Sequence, residues 1–136
     1  MANVDLHRPR RFTLQAYIRT MAATSGAVYE YPWCTATPEG YTGLSPFRVI
    51  RMSVGAFLAG TGEGEGLTVG FYKTSFSSAF MELATTATGW YWATDTSTVT
   101  DFSTSEEFLC RVKVNWTSGG AKTVTSINVT ADCEYI

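Results

Sequence analysis

Charge is what this chain has least of. Only 16% of its 136 residues are Asp, Glu, Lys or Arg, against roughly a quarter in soluble domains. A surface so poor in charge is expected to be covered in part by something other than water. Its 10 basic and 12 acidic side chains leave a net charge of −2. No broad positive field therefore exists to attract nucleic acid or an anionic membrane. Histidine occurs once, as His7. Imidazole catalysis needs its ring packed beside the nucleophile, and a histidine next to Arg8 and Pro9 near the terminus is poorly placed for that. The three cysteines, Cys34, Cys110 and Cys133, are odd in number and far apart. That excludes a Cys/His zinc set and suits reduced thiols better than a disulfide framework. With cytoplasmic thiols, the sequons Asn115-Trp-Thr117 and Asn128-Val-Thr130 imply no glycan. No apolar run reaches the eighteen or so residues of a membrane-spanning helix. Residues 1–12 lack the apolar centre of a signal peptide, so synthesis and assembly in a cytoplasm are expected.

Helix-forming runs of Ala, Leu, Glu and Lys are missing too, while threonine and the aromatics are plentiful, the latter at 14%. These are the residues of pleated surfaces. The plainest stretch is the last. Phe108, Cys110, Val112, Val114 and Trp116 occupy every second position, and alternate residues of a strand face opposite ways. Thr117-Ser118-Gly119-Gly120 then reads as a tight turn. Alternation resumes at Thr123, Thr125, Ile127, Val129, Ala131 and Cys133. The pattern predicts an antiparallel hairpin, whose apolar face the rest of the chain must cover.

Further strands are expected over 13–21, 27–33, 47–57, 67–72 and 90–92. Pro32 should stop the second, because proline cannot donate to a ladder. Residues 34–46, with two prolines and two glycines, read as a long loop. Within 47–57, apolar residues at both odd and even positions suggest a strand covered on two sides, or packed on a partner. Residues 80–84 suit a strand or a short helix, and 94–105 read as a polar loop. No internal repeat is present. The expectation is one all-β domain over 13–136, an antiparallel β-sandwich of jelly-roll type, with an immunoglobulin-like sandwich as the alternative. Residues 1–12 form an extended arm.

Candidate chemistry is thin. The glycine run at 60–66 carries Glu63 and Glu65, lacks a Lys-Ser/Thr and leads into a strand, so it is no phosphate loop. Glu106 and Glu107 are adjacent acids in a loop, unlike a glycosidase pair held across a cleft. Trp33, Trp90 and Trp92 would make a stacking platform for sugars if exposed, but in a sandwich they are expected in the core. No catalytic, cofactor-binding or metal-binding residue is assigned. The arm is the most informative feature. Leu6 and Phe12 can anchor it, and Arg8, Arg10 and Arg11 can pair with carboxylates of a protein partner.

In overall character the chain resembles the small decoration (cement) proteins of tailed bacteriophages. The features that carry the resemblance are the arm at 7–12, the threonine-rich loops and strands such as 47–54. The resemblance implies a non-enzymatic virion protein, assembled in the host cytoplasm, that binds the major capsid protein on the outer shell as a homotrimer. It implies no cofactor, nucleic acid or membrane. A carbohydrate- or receptor-binding β-sandwich is the alternative, and it requires exposed Trp33, Trp90 or Trp92.

Overall fold

The structure is a computed structural model that describes residues 11–21, 27–34, 46–60, 66–103, 105–115 and 122–136. These form β1 (Arg11–Met21), β2 (Ala27–Cys34), β3 (Phe47–Gly60), β4 (Gly66–Lys73), β5 (Ala79–Thr85), β6 (Gly89–Asp95), β7 (Thr100–Phe102), β8 (Phe108–Asn115) and β9 (Lys122–Tyr135). A front sheet runs β1-β9-β3-β6, with β7 also paired to β3, and a back sheet runs β2-β8-β4-β5. Every pairing is antiparallel. Leaving aside the short β7, this is the strand order of a jelly roll. Most consecutive strands change sheet, which an immunoglobulin-like order would not give.

The hairpin expected at the C-terminus is not formed. β8 pairs with β2 and β4, and β9 pairs with β1 and β3. Period-2 alternation reports a buried face and says nothing about which strand is the neighbour. Here two alternating strands turn their apolar faces toward one core from opposite sheets. The core residues are as expected, with Phe108, Val112, Val114, Ile127 and Val129 all fully buried.

The two-sided look of β3 is a register effect and needs no partner. Its buried positions are Phe47 and Val49, then Met52, Val54, Ala56 and Leu58. The switch falls where the pairing with β9 slips between Val49 and Arg51. One extra residue there, a β-bulge, turns the inward phase from odd to even. A second slip lies between Gly55 and Phe57, opposite Ser126, which takes a positive φ of 53°. It brings both Val124 and Ile127 inside, although they are three residues apart.

Other boundaries also move. β2 continues through Pro32 to Cys34 with a register shift, which is tolerated because β2 is an edge strand of the back sheet. Residues 79–85 are strand, not helix. The expected polar loop at 94–105 holds β7, whose Phe102 is buried between Phe47 and Phe108, with ring centroids at 5.0 and 4.9 Å. Its polar neighbours hide the signal: Asp95 accepts bonds from the Ser97 hydroxyl and the Thr98 N–H, closing the turn that leads to β7. Arg11 and Phe12, expected in the arm, are the first two residues of β1. The long loop at 35–45 and the glycine segment at 61–65 lie outside the described residues.

Candidate binding face on the front sheet

Strand β6 is one edge of the front sheet. Along it Tyr91, Ala93 and Asp95 alternate with Trp90, Trp92 and Thr94. Tyr91 turns inward against the core, and its hydroxyl donates to the carbonyl of Ala84 at 3.3 Å. Period 2 then sends both tryptophans outward, where they are 77% and 75% exposed. Expected core packing therefore holds for Trp33 alone. Its ring meets Phe108 edge-on at 5.2 Å and Phe71 at 6.1 Å. The Trp33 Nε1 is buried and has no hydrogen-bond partner among the described residues.

The register of β3 with β6 sets how the two indoles lie. Trp90 is opposite Phe57, with ring centroids 5.0 Å apart, and Trp92 is opposite Gly55. A Cβ at position 55 would overlap the Cζ3 and Cε3 carbons of Trp92. The glycine lets this ring lie against the backbone of β3, a close approach that any side chain would block.

Cross-strand rows continue from the indoles over the outer face. One row runs Tyr17, Asn128, Gly55, Trp92; the next runs Gln15, Thr130, Ser53, Thr94; the third begins Thr13, Asp132, Arg51. Gln15 Nε2 donates to Asn128 Oδ1 at 2.8 Å, and the hydroxyls of Ser53 and Thr94 lie 3.2 Å apart. In the third row, Thr13 Oγ1 donates to Asp132 Oδ1 at 2.9 Å. Arg51 binds Asp132 Oδ2 through Nε at 2.7 Å and through a terminal nitrogen at 2.6 Å. At the Ile50 bulge this row opens into a surface cavity of about 460 Å³, lined among others by Arg11, Arg51, Thr96 and Asp132.

The back sheet presents a different face. Its corresponding row is Glu30, Arg111, Gly70, Glu82. The Arg111 guanidinium pairs with Glu30 at 2.6 Å and lies over the rings of Tyr72 and Phe76 at 5.2 and 4.8 Å. Tyr72 itself leans over Gly70, where a Cβ would meet its ring.

The arm residues fare unevenly. Leu6, His7, Arg8 and Arg10 lie outside the described residues. Arg11 is exposed at the edge of the front sheet and pairs loosely with Glu134 at 3.8 Å. Phe12 packs within its own domain, with centroids 4.9 Å from Tyr135 and 5.5 Å from Phe47. Cys110 and Cys133 are buried thiols on inward faces, and burial pushes the Cys110 thiol far above its ordinary range. The side chain of Cys34 lies outside the described residues. Glu106, considered as half of an acid pair, is bound at 2.9 Å by Lys73, and this bond holds its carboxyl below the usual range. No group of three or more His, Cys, Asp or Glu side chains able to hold a metal occurs among the described residues.

Sequence reasoning missed the residues that seat the indoles, Gly55 and Phe57, and the cross-strand rows beyond them that hold Tyr17 and the Arg51–Asp132 pair. The signal for the indoles themselves was present. In Gly89-Trp-Tyr-Trp-Ala-Thr-Asp95 the larger rings share a phase with Thr94, and the other phase carries Tyr91 and Ala93. No family model matches the chain, and no curated protein is significantly similar to it.

Proposed function

We propose that this protein is a non-enzymatic structural protein of a virion, of the decoration (cement) kind, and that it carries a carbohydrate- or receptor-binding ledge. The observation that carries a binding role is the exposure of Trp90 and Trp92, 77% and 75%, side by side on one edge strand. A single surface tryptophan needs no explanation, but two exposed indoles on the same face of one strand are the kind of feature a partner covers. In this reading the shell partner is the major capsid protein, the chain acts as a homotrimer, and neither cofactor nor nucleic acid takes part. The chain enters the fold at β1, and the ledge is on β6. These are opposite edges of the front sheet, about 14 Å apart over three strand spacings. A shell contact made at the β1 edge, where Arg11 is exposed, leaves the β6 edge open. The fold agrees only by analogy, since jelly rolls serve both viral capsids and lectins.

The rows beside the indoles favour carbohydrate over protein at the ledge. A sugar lays its C–H face on an aromatic ring and uses its hydroxyls on neighbouring polar groups, and here those neighbours are Asn128, Thr130, Ser53 and Thr94. A stable protein interface would need about 800 Å² per partner with an apolar centre, and these polar rows do not provide that centre. The test compares wild type with Trp90→Ala/Trp92→Ala in co-sedimentation with capsids of the parent virus and on a glycan array. Shell binding should survive the double substitution while glycan binding disappears. If shell binding is lost and no glycan is ever bound, the ledge belongs to the shell. If wild type binds neither, the proposal is overturned.

A further inference from the structure

We propose that the cavity at the Ile50 bulge is a second subsite of the ledge, so that the ligand is a neutral oligosaccharide lying across the front sheet from Trp92 to Arg51. This rests on the carbohydrate reading of the ledge and adds an extent and a charge to it. Positions 55, 53 and 51 of β3 share the outer face, so the Arg51 row lies about 13 Å along the strand from the Trp92 row. A monosaccharide stacked on Trp92 cannot cover that distance, whereas a short chain can. The intervening row, Ser53 and Thr94 with Thr130 and Gln15, offers hydroxyls and one amide and no charge.

At the far end the cavity, about 460 Å³, is large enough to take a sugar ring. Its polar lining is both donor and acceptor. A guanidinium has five N–H donors, and Asp132 engages those of Arg51 through Nε and one terminal nitrogen. Donors therefore remain for ligand hydroxyls, with the Thr96 hydroxyl nearby on the cavity wall. A fork–carboxylate pair held this way matches the neighbouring hydroxyls of a sugar, one accepting from Arg51 and the next donating to Asp132. The Arg51 charge is matched by Asp132, so the fork takes a neutral sugar, while Arg11, the second guanidinium of the lining, is exposed and paired only loosely, at 3.8 Å, with Glu134 outside it. Among the described residues the back sheet lacks this combination. Its smaller cavity, about 270 Å³ and lined by Arg111, Lys113 and Glu82, has no exposed indole in its cross-strand rows.

The experiment is calorimetric titration of the intact chain with gluco-, manno- and galacto-configured neutral oligosaccharides, from monosaccharide to hexasaccharide. Affinity should rise at least tenfold between the monosaccharide and the chain that reaches Arg51, then level off. Arg51→Ala should remove that gain and leave the monosaccharide unaffected, and Arg51→Lys, lacking the fork, should restore little of it. Should either Arg51 variant fail to fold, Thr96→Val and the length dependence of wild type still decide. Backbone amide shifts at 50–51 and 132 should move with the longer ligands alone. Binding that ignores chain length, or a full length gain in Arg51→Ala, overturns the second subsite while the ledge stands. If no neutral oligosaccharide binds at any length but the glycan array shows another glycan bound through Trp90 and Trp92, the neutral ligand is overturned and the ledge stands. If no glycan binds at all, the carbohydrate reading of the ledge fails first.

Discussion

The outer faces of the two sheets solve the same problem in opposite ways. Each has a glycine in a central strand with an aromatic ring leaning over it, Tyr72 over Gly70 behind and Trp92 over Gly55 in front. On the back sheet the ring is 7% exposed and joins Phe76 under the Arg111 guanidinium, itself paired with Glu30. On the front sheet nothing among the described residues caps the ring. The difference separates aromatic side chains that finish the fold from those the fold leaves available. Exposure alone is a weak marker of function, but here the covered arrangement on the same molecule shows what a satisfied aromatic looks like.

Substitutions should break this comparison in a graded order. The largest loss of stability belongs to the core that both sheets share. Phe108 meets Trp33, Phe47, Phe71, Phe80 and Phe102, and Phe108→Ala should cost about 3–5 kcal/mol in urea unfolding. Next comes Gly55→Val, which forces the Trp92 ring off β3. It should destabilise by about 1–3 kcal/mol and abolish ligand binding. Arg111→Ala should cost about 1 kcal/mol through the lost stacking and the exposed ion pair, with binding at the ledge intact. Trp92→Ala inverts that outcome, changing stability by no more than about 0.5 kcal/mol while binding is lost.

The smallest effect is electrostatic. Hydrogen bonding from Lys73 lowers the Glu106 carboxyl, and bonding from Arg48 lowers that of Asp101. Groups lowered on folding contribute stability above their ordinary range and lose it as pH falls through the folded values. The urea midpoint should therefore drop below about pH 4, less steeply in Lys73→Met. A midpoint indifferent to pH in the wild type would show these bonds to be energetically silent.

Much of this was readable from residue pattern and some was not, for physical reasons. Alternation in 108–114 and 127–133 correctly marked the buried residues, because burial follows period 2 along a regular strand. Trp116 lies outside the described residues. Alternation also put Thr123 and Thr125 on the inner face, where Val124 is the buried residue. It could not mark pairing, and β8 and β9 sit in opposite sheets. The bulge at Ile50 shifts the phase of β3 by one residue, so β3 looked apolar on both faces when it was apolar on one face twice, and the bulge at Ser126 does the same within β9. Phe102 was hidden by the Thr, Ser and Asp around it. The outward placement of Trp90 and Trp92 depends on β6 being an edge strand whose inward phase is filled by Tyr91 and Ala93. Composition favours the core for tryptophan, and only the topology overrules it.

The central claim is that Trp90 and Trp92 form an attachment surface and are not part of the fold's support. The most direct measurement is a paired one on Trp90→Ala/Trp92→Ala, with urea unfolding to read stability and calorimetric titration with neutral oligosaccharides to read binding. The account predicts a midpoint close to that of wild type together with the loss of all measurable binding. A double variant that unfolds at markedly lower urea, or one that binds the same oligosaccharides as tightly as wild type, would contradict it.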